Sequence, residues 1–165
     1  MSSKVPTVKQ TAWISLLPHL LIIVFLIGIY YLVNPENAIL FGVFTYLILS
    51  FSLRRLVPKD HRNGIIKNNV SNFREAISDF EKSYFFFKKH EWVDKYRYIT
   101  LLSSSKISYR EMALNNIAFC YGQIGNVEKS KEYYLKTLNE FPESGMAKVA
   151  LNFINSIENG KTSND

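Results

Sequence analysis

Few side chains in this sequence have the types and spacing that catalysis or metal binding requires. The chain has one cysteine, Cys120, and three histidines, His19, His61 and His90. A cysteine nucleophile needs a base beside it, and a zinc site needs several Cys, His or carboxylate ligands at short spacings. These residues show no such grouping, and the sequence has no glycine-rich phosphate loop. We therefore expect no catalytic residue, no metal site and no cofactor.

Cys120 is predicted to be a core residue rather than a reactive thiol. It lies on an apolar helix face between Phe119 and Tyr121, where a free cysteine usually packs as a small apolar side chain. A single cysteine cannot form an internal disulfide framework, and a free thiol agrees with a cytosolic location.

The positive charge is concentrated in the middle of the chain. The net charge is +6; residues 54–110 hold thirteen Lys or Arg against six Asp or Glu, whereas residues 111–165 hold five against seven. This basic part follows the apolar segments directly, where anionic lipid headgroups would lie. Nucleic-acid binding is the other interpretation of a basic region, but these residues are scattered among acids and match no motif. We expect a lipid bilayer as a partner, and no nucleic acid.

Two apolar runs predict a transmembrane helical hairpin. Residues 12–33 form the first span, since about 20 apolar residues cross a bilayer as a helix, with Trp13 and Tyr30–Tyr31 as aromatic belts. Residues 34–37 form the loop, and residues 38–57 form the second span if Arg54 and Arg55 extend their charged ends toward the membrane surface. The alternative is a cleaved signal peptide, but the first run is long for one and a second run follows directly.

The basic residues near the span ends predict the orientation. The N-terminal tail, residues 1–11, contains Lys4 and Lys9, the loop has only Glu36, and the second span is followed by Arg54 and Arg55. Because basic residues stay on the cytoplasmic side, we expect an integral protein of the plasma or inner membrane with both termini in the cytoplasm.

The residues after the second span are predicted to be α-helical. Apolar residues recur at helical spacing over residues 73–90, 109–124, 127–141 and 145–157, and Pro58 suits the start of a helix over residues 58–69. Whether residues 91–106 form a helix stays open, and residues 159–165 are expected to be a flexible tail. The fold class is therefore all-α: a transmembrane hairpin followed by a helical domain over residues 58–158.

Residues 111–144 resemble a tetratricopeptide repeat, a helix-turn-helix unit of about 34 residues that stacks on its neighbours. In that family, small and aromatic residues occupy fixed places because the two helices pack closely. Leu114 stands where the family usually has tryptophan. The residues that match the packing pattern are Ala118, Tyr121, Gly125, Ser130, Tyr134, Thr137 and Pro142.

A weaker copy covers residues 57–90. Ala76, Phe80 and Ser83 fall on the packing positions of its second helix, and Gly64 on the small position of its first. Ala76 and Ser130 are 54 residues apart instead of the family's usual 34 or so, which indicates an insertion of about 20 residues between the copies. Residues 145–157 resemble a capping helix, and the whole chain resembles small bacterial membrane proteins that join a hairpin to such repeats.

The resemblance implies a protein-binding surface on the first helices of the repeats. The residues expected to be exposed there are Asn115, Asn116, Phe119 and Gln123, and Val149 and Phe153 of the capping helix could join them. The two asparagines are equally well explained as solvated helix positions, and the basic residues of the family's carboxylate clamp are missing. We expect a membrane-anchored adaptor or scaffold that binds a protein or peptide. The alternatives are an accessory subunit of a larger membrane complex, with Gly28 and Gly42 as packing sites, and an enzyme or transporter.

Overall fold

The computed structural model describes residues 11–162, with side chains as far as residue 158. That part of the chain is all-α and has no β-strand. In chain order the helices are α1 (Leu16–Val33), α2 (Ala38–Leu56), α3 (Lys59–Asn69), α4 (Phe73–Lys89), α5 (Glu91–Lys95), α6 (Arg97–Thr100), α7 (Tyr109–Gln123), α8 (Val127–Glu140) and α9 (Gly145–Thr162).

Most helix bounds lie within two residues of those predicted from apolar spacing. The exceptions are α1, which begins at Leu16 after a 3-10 turn at Trp13–Ser15, and α9, because the tail expected to be flexible from residue 159 continues this helix as far as Thr162. The predicted tail over residues 1–11 lies outside the described part except for Thr11, and so do residues 163–165.

The chain divides into two compact units that are interleaved in sequence. Within the described residues, the first unit takes residues 11–59 and adds His90–Ser108; the second takes Asp60–Lys89 and residues 109–162. The predicted domain over residues 58–158 is therefore divided, because His90–Ser108, here called the linker segment, belongs to the hairpin's unit. The linker segment nearly coincides with the insertion inferred between the two repeat copies.

In the first unit, α1 and α2 form a hairpin of apolar helices. Asn34 ends α1, and its side chain accepts a hydrogen bond from the Asn37 backbone at 3.3 Å, which closes the turn. The helices approach closely at Gly42, where an added Cβ would lie 2.6 Å from Ile27 Cγ1 and 2.9 Å from the Ile27 backbone. The stretches Trp13–Val33 and Pro35–Leu56, of 21 and 22 residues, are long and apolar enough to span a membrane.

The linker segment is held to the hairpin by backbone and arginine contacts. The Ala12 backbone N–H donates to the Ser104 carbonyl at 2.9 Å, and the Arg54 guanidinium donates to the carbonyl of Leu102. Leu102 has a left-handed backbone, with φ of 47°, and a fully buried side chain. Contacts of α6 with α1 complete the unit. The segment thus meets the start of α1 and the end of α2.

In the second unit, α3 packs on α4 because Gly64 leaves room for the ring of Phe80. A Cβ at Gly64 would lie 2.7 Å from two ring carbons of Phe80. Lys67 of α3 adds ion pairs to Glu75 at 3.3 Å and to the buried Asp79 at 2.8 Å. This helix pair is where the weaker repeat copy was inferred.

The α4 and α7 helices pack together and form the main core of the second unit. Ala76 and Phe80 of α4 meet Ile117 and Cys120 of α7, and all four are fully buried. Beyond them, α8 packs on α7 and α9 on α8. Gly125, between α7 and α8, has φ of +79°, a left-handed conformation that strains any residue with a Cβ.

The hairpin offers a matched pair of glycine tests. Gly42→Ala is expected to destabilise the hairpin by about 1–3 kcal/mol, because the new Cβ meets the Ile27 backbone, which cannot rotate away. Gly28→Ala is the control, since a Cβ there meets nothing within 4 Å. The measurement is sodium dodecyl sulfate-driven unfolding in mild detergent, followed by circular dichroism. Equal unfolding curves for both variants would contradict the close approach at Gly42.

Candidate interaction surface

The residues that could do chemistry are buried or isolated in the structure. Within residues 11–158, no three His, Cys, Asp or Glu side chains are grouped so that they could hold a metal ion. Cys120 is fully buried, and burial raises the pKa of its thiol to about 12. Its Sγ lies 3.5 Å from Asn68 Oδ1. A thiol of this kind is protonated and inaccessible at neutral pH, which makes it inert as a nucleophile.

His61 of α3 is a buried neutral side chain inside the second unit. Its ring packs edge-on against Phe80 and Tyr109, with ring centroids 5.4 Å away in each case. Its Nδ1 lies 3.3 Å from the hydroxyl oxygen of Ser83. Burial lowers the pKa of His61 from 6.5 to about 4, because the positively charged form would lose its hydration. The residue therefore fits a structural role at neutral pH.

Asn115 is buried, so the expectation that it is exposed for binding is wrong. Only 5% of its surface is exposed. Its side-chain amide donates to the Glu111 carbonyl at 3.0 Å and to the Ser144 hydroxyl at 3.3 Å. Ser144 precedes α9, so Asn115 fixes the start of that helix to α7. The pattern of polar residues alone could not reveal this, because the partner lies 29 residues away.

The other three predicted residues of α7 lie on a partly open face of that helix. Asn116 is half-buried, and Gln123 is exposed. Phe119 is also half-buried, with its ring edge-on to Phe73 of α4 at a centroid distance of 6.3 Å. Phe119 therefore contributes mainly to packing between α4 and α7. Of the predicted α7 residues, Gln123 is open to a ligand and Asn116 only in part.

Two of the predicted binding residues lie on α9 and are well exposed. Val149 and Phe153 are 70% and 66% exposed, and Ile157, which was not among the predicted residues, continues the line one turn later. The opposite face of α9 is buried through Ala147 and Leu151, which cluster with Ala118 and Tyr134. We call Val149, Phe153 and Ile157 the α9 stripe. The spacing of four residues between its members was the signal that could have identified Ile157.

The residues that resemble the repeat's packing pattern occupy the second unit's helix contacts and turns. Ala118, Ser130, Tyr134 and Thr137 are buried, and a Cβ at Gly122 would lie 3.3 Å from Ser130 Oγ. The remaining members lie at the edges: Tyr121 stacks on Tyr133, Gly125 forms the turn, and Pro142 is exposed after α8.

The two arginines predicted to meet the membrane surface differ in their contacts. Arg54 donates to the Leu102 carbonyl, so its guanidinium is engaged within the first unit. Arg55 is exposed, with its guanidinium carbon 5.2 Å from the ring centroid of Phe51. Arg55 is therefore better placed to meet a phosphate, whereas Arg54 joins the linker segment to α2.

The burial of His61 predicts a pH-dependent stability. Between pH 6.5 and about 4 the unfolded chain protonates this histidine and the folded chain does not, so folding stability falls as the pH is lowered through that window. The full effect is about 3 kcal/mol, at roughly 1.4 kcal/mol per pH unit. Denaturant unfolding of the full chain in detergent, followed by circular dichroism at pH 7 and pH 4.5, measures the loss.

The variant His61→Gln removes the titrating group and should flatten this pH dependence. His90→Gln is the matched control and should keep it, because His90 lies in the linker segment, outside the second unit. If His61→Gln and the unsubstituted chain lose the same stability between the two pH values, then His61 is not the source.

No protein-family model, curated protein or solved structure matches this chain. The resemblance to tetratricopeptide repeats therefore rests on the residues of this sequence alone.

Proposed function

We propose that this protein is a membrane-anchored adaptor, in which a tetratricopeptide-like helical module binds a partner protein beside the bilayer. The α1–α2 hairpin is the anchor, and the second unit is the module. The observation that carries the binding role is the α9 stripe, an exposed apolar line on the last helix of the module.

The surface of the hairpin supports the anchor. Only 6% of the apolar window in the first span is buried within the chain, and 17% of that in the second. The core helices of a soluble protein would bury most of such a window. Large apolar side chains exposed over both helices, Leu32 and Ile39 among them, are instead stabilised in a hydrocarbon layer.

The contacts at small residues support the repeat-like module. Repeats of this family bring paired helices close together through small side chains, and here Gly64 meets Phe80 while Gly122 meets Ser130. Each contact lies between the two helices of one inferred copy. With one full copy, one weaker copy and α9, the module is short, so it offers a limited surface and not a long groove.

The α9 stripe supports a partner that contributes an amphipathic helix. A terminal helix that only caps a repeat stack presents a polar outer face. The outer face of α9 instead carries Val149, Phe153 and Ile157, and a contiguous exposed apolar surface generally marks an interaction site. A helix with apolar residues at three- and four-residue spacing would continue the stack.

Attachment to a membrane makes even a weak contact of this kind effective. A partner that is itself at the bilayer meets the module at a raised effective concentration, which increases its occupancy without any new contact.

An accessory role in a larger membrane complex is the second candidate, and Gly28 favours it. Gly28 is exposed on α1, and a Cβ there would meet nothing within 4 Å. A small residue on the outer face of a span allows a helix of another protein to approach closely. Gly42 does not serve this role, because Ile27 already occupies its surroundings.

Photo-crosslinking in native membranes tests the adaptor. A photoreactive amino acid replaces Val149 in the full chain, and adducts are compared with those formed from Glu128, an exposed polar position on α8 that serves as the control. We expect a discrete adduct at Val149 that is absent at Glu128 and is lost when Phe153→Ser is added.

The same experiment with the photoreactive group at Gly28 separates the two candidates. Adducts to a membrane protein at Gly28, with none at Val149, would reject the adaptor in favour of the accessory subunit. An adduct at Val149 that persists with Phe153→Ser would show that the α9 stripe is not the binding surface.

Thiol labelling tests the proposed orientation, with both termini in the cytoplasm. Cys120 is the chain's one cysteine and is buried, so it gives little background reaction. Glu36→Cys, in the loop between the spans, should react with a membrane-impermeant maleimide added to intact cells. Asn152→Cys, exposed on α9, should react only after the membrane is opened. The reverse labelling pattern would show that both termini lie outside the cytoplasm and would contradict the proposed orientation.

A further inference from the structure

We propose that the linker segment is a membrane-interface element: Trp92, Tyr96 and Ile99 lie in the headgroup layer of the bilayer beside the ends of the hairpin. This inference rests on the proposed anchoring of the hairpin and adds a second site of membrane contact, which apolar run length does not indicate. We call these three residues the linker stripe.

The linker stripe is an exposed apolar face on a segment whose other apolar residues are largely buried. Trp92, Tyr96 and Ile99 are 61%, 53% and 56% exposed. They are separated by four and three residues, so they share one side of the nearly continuous helical stretch formed by α5 and α6. On the other side, Val93 and Leu101 are buried. The segment is therefore amphipathic, and its open side carries two aromatic residues of the kinds that concentrate at membrane interfaces.

The attachments of the linker segment place it at the level where both spans end. The Ala12 N–H bonds to the Ser104 carbonyl, and Thr11 pairs with Ser105. Ala12 directly precedes Trp13, which begins the first span and is itself largely exposed. These contacts fix one end of the linker segment beside the residue expected to mark the interface.

A second attachment reaches the other span. Arg54, in the last turn of α2, donates to the carbonyl of Leu102. The linker segment thus contacts the first residues of one span and the last turn of the other. In an antiparallel hairpin both of these belong to the same side of the bilayer. The linker segment is therefore attached to the hairpin at the side of the bilayer where α1 begins and α2 ends.

Internal hydrogen bonds make the linker segment a fixed structure rather than a loose loop. The guanidinium of Arg97 donates to the carbonyls of Asp94 at 3.0 Å, Ser105 at 2.9 Å and Lys106 at 2.5 Å. The Thr100 hydroxyl donates to the Val93 carbonyl at 2.7 Å. Because these bonds set the shape, the exposure of the linker stripe is imposed by the fold.

Cations at the edge of the linker stripe could meet the phosphates of an anionic phospholipid surface, although the exposed Glu91 beside Trp92 carries the opposite charge. Lys95 lies between Trp92 and Tyr96 in sequence and is exposed, with its Nζ 5.5 Å from the ring centroid of Tyr96. Arg55, at the end of α2, is also exposed. An apolar face with cations at its edge matches the boundary between acyl chains and phosphates.

The chain's two tryptophans, Trp13 and Trp92, allow a direct test. The full chain is reconstituted in vesicles of phosphatidylcholine and phosphatidylglycerol, as Trp13→Phe to isolate Trp92 and as Trp92→Phe to isolate Trp13. Fluorescence quenching is measured with lipids brominated near the headgroup, with lipids brominated near the chain end, and with aqueous acrylamide. A third protein carries Phe153→Trp in a background without the native tryptophans, as a reference outside the bilayer.

We expect Trp92 to be quenched more by the shallow bromines than by the deep ones. Acrylamide should quench it less than it quenches the tryptophan of the Phe153→Trp variant. Adding Tyr96→Ser and Ile99→Ser should shift the Trp92 emission to longer wavelength, with loss of quenching by lipid. These are surface substitutions, so the second unit should keep its helical signal.

The outcomes separate this inference from the anchor. If Trp13 is quenched by brominated lipid and Trp92 is not, then the hairpin is in the bilayer and the linker stripe is not, which overturns the inference alone. If neither tryptophan is quenched by lipid, the proposed anchor fails as well. Emission of Trp92 at short wavelength without lipid quenching would mean that protein covers it, and would also overturn the inference.

Discussion

The packing of α4 against α7 is the constraint on which the second unit depends. Neither the α3–α4 pair nor the α7–α8 pair could bury its apolar face alone. Phe80 and Ile117 meet in a core that excludes water, at about 2–3 kcal/mol for each large side chain that is fully buried. The two helices are separated in sequence by the whole linker segment, so this core forms only when distant parts of the chain meet. The ring of Phe80 also requires Gly64, which links α3 to the same core.

The linker segment shows where reasoning from the sequence alone failed. Its two short helices are interrupted at Tyr96, and its structure depends on arginine side chains that donate to backbone carbonyls. Arg97 shapes the segment, and Arg54 attaches it from a position 48 residues before Leu102. No local pattern encodes such bonds, because any carbonyl can accept them. The insertion itself was predictable, since the spacing between Ala76 and Ser130 exceeds that of adjacent repeats.

Helices with strong apolar spacing were predictable almost to the residue, and the candidate surface only in part. Val149 and Phe153 were identified through the resemblance of residues 145–157 to a capping helix beside the repeat's binding surface, and both are exposed. Asn115 was misplaced because an amide at a polar position looks solvated until its partner Ser144 is known. The extension of α9 to Thr162 was missed because its last residues are polar. A Lys131–Glu158 ion pair at 2.6 Å joins this part of the helix to α8.

Phe87 and Tyr109 flank the linker segment, and their rings stack with centroids 4.7 Å apart. The chain therefore leaves the second unit and rejoins it at almost the same point. The linker segment is an insertion whose two ends are held close together. The entropic cost of closing such a loop grows slowly with its length, by about 0.6 kcal/mol for each doubling. The core of the second unit thus fixes the two ends of the linker segment and places little restriction on its length or sequence. A longer, shorter or more basic segment could therefore take its place while the same helical core is kept.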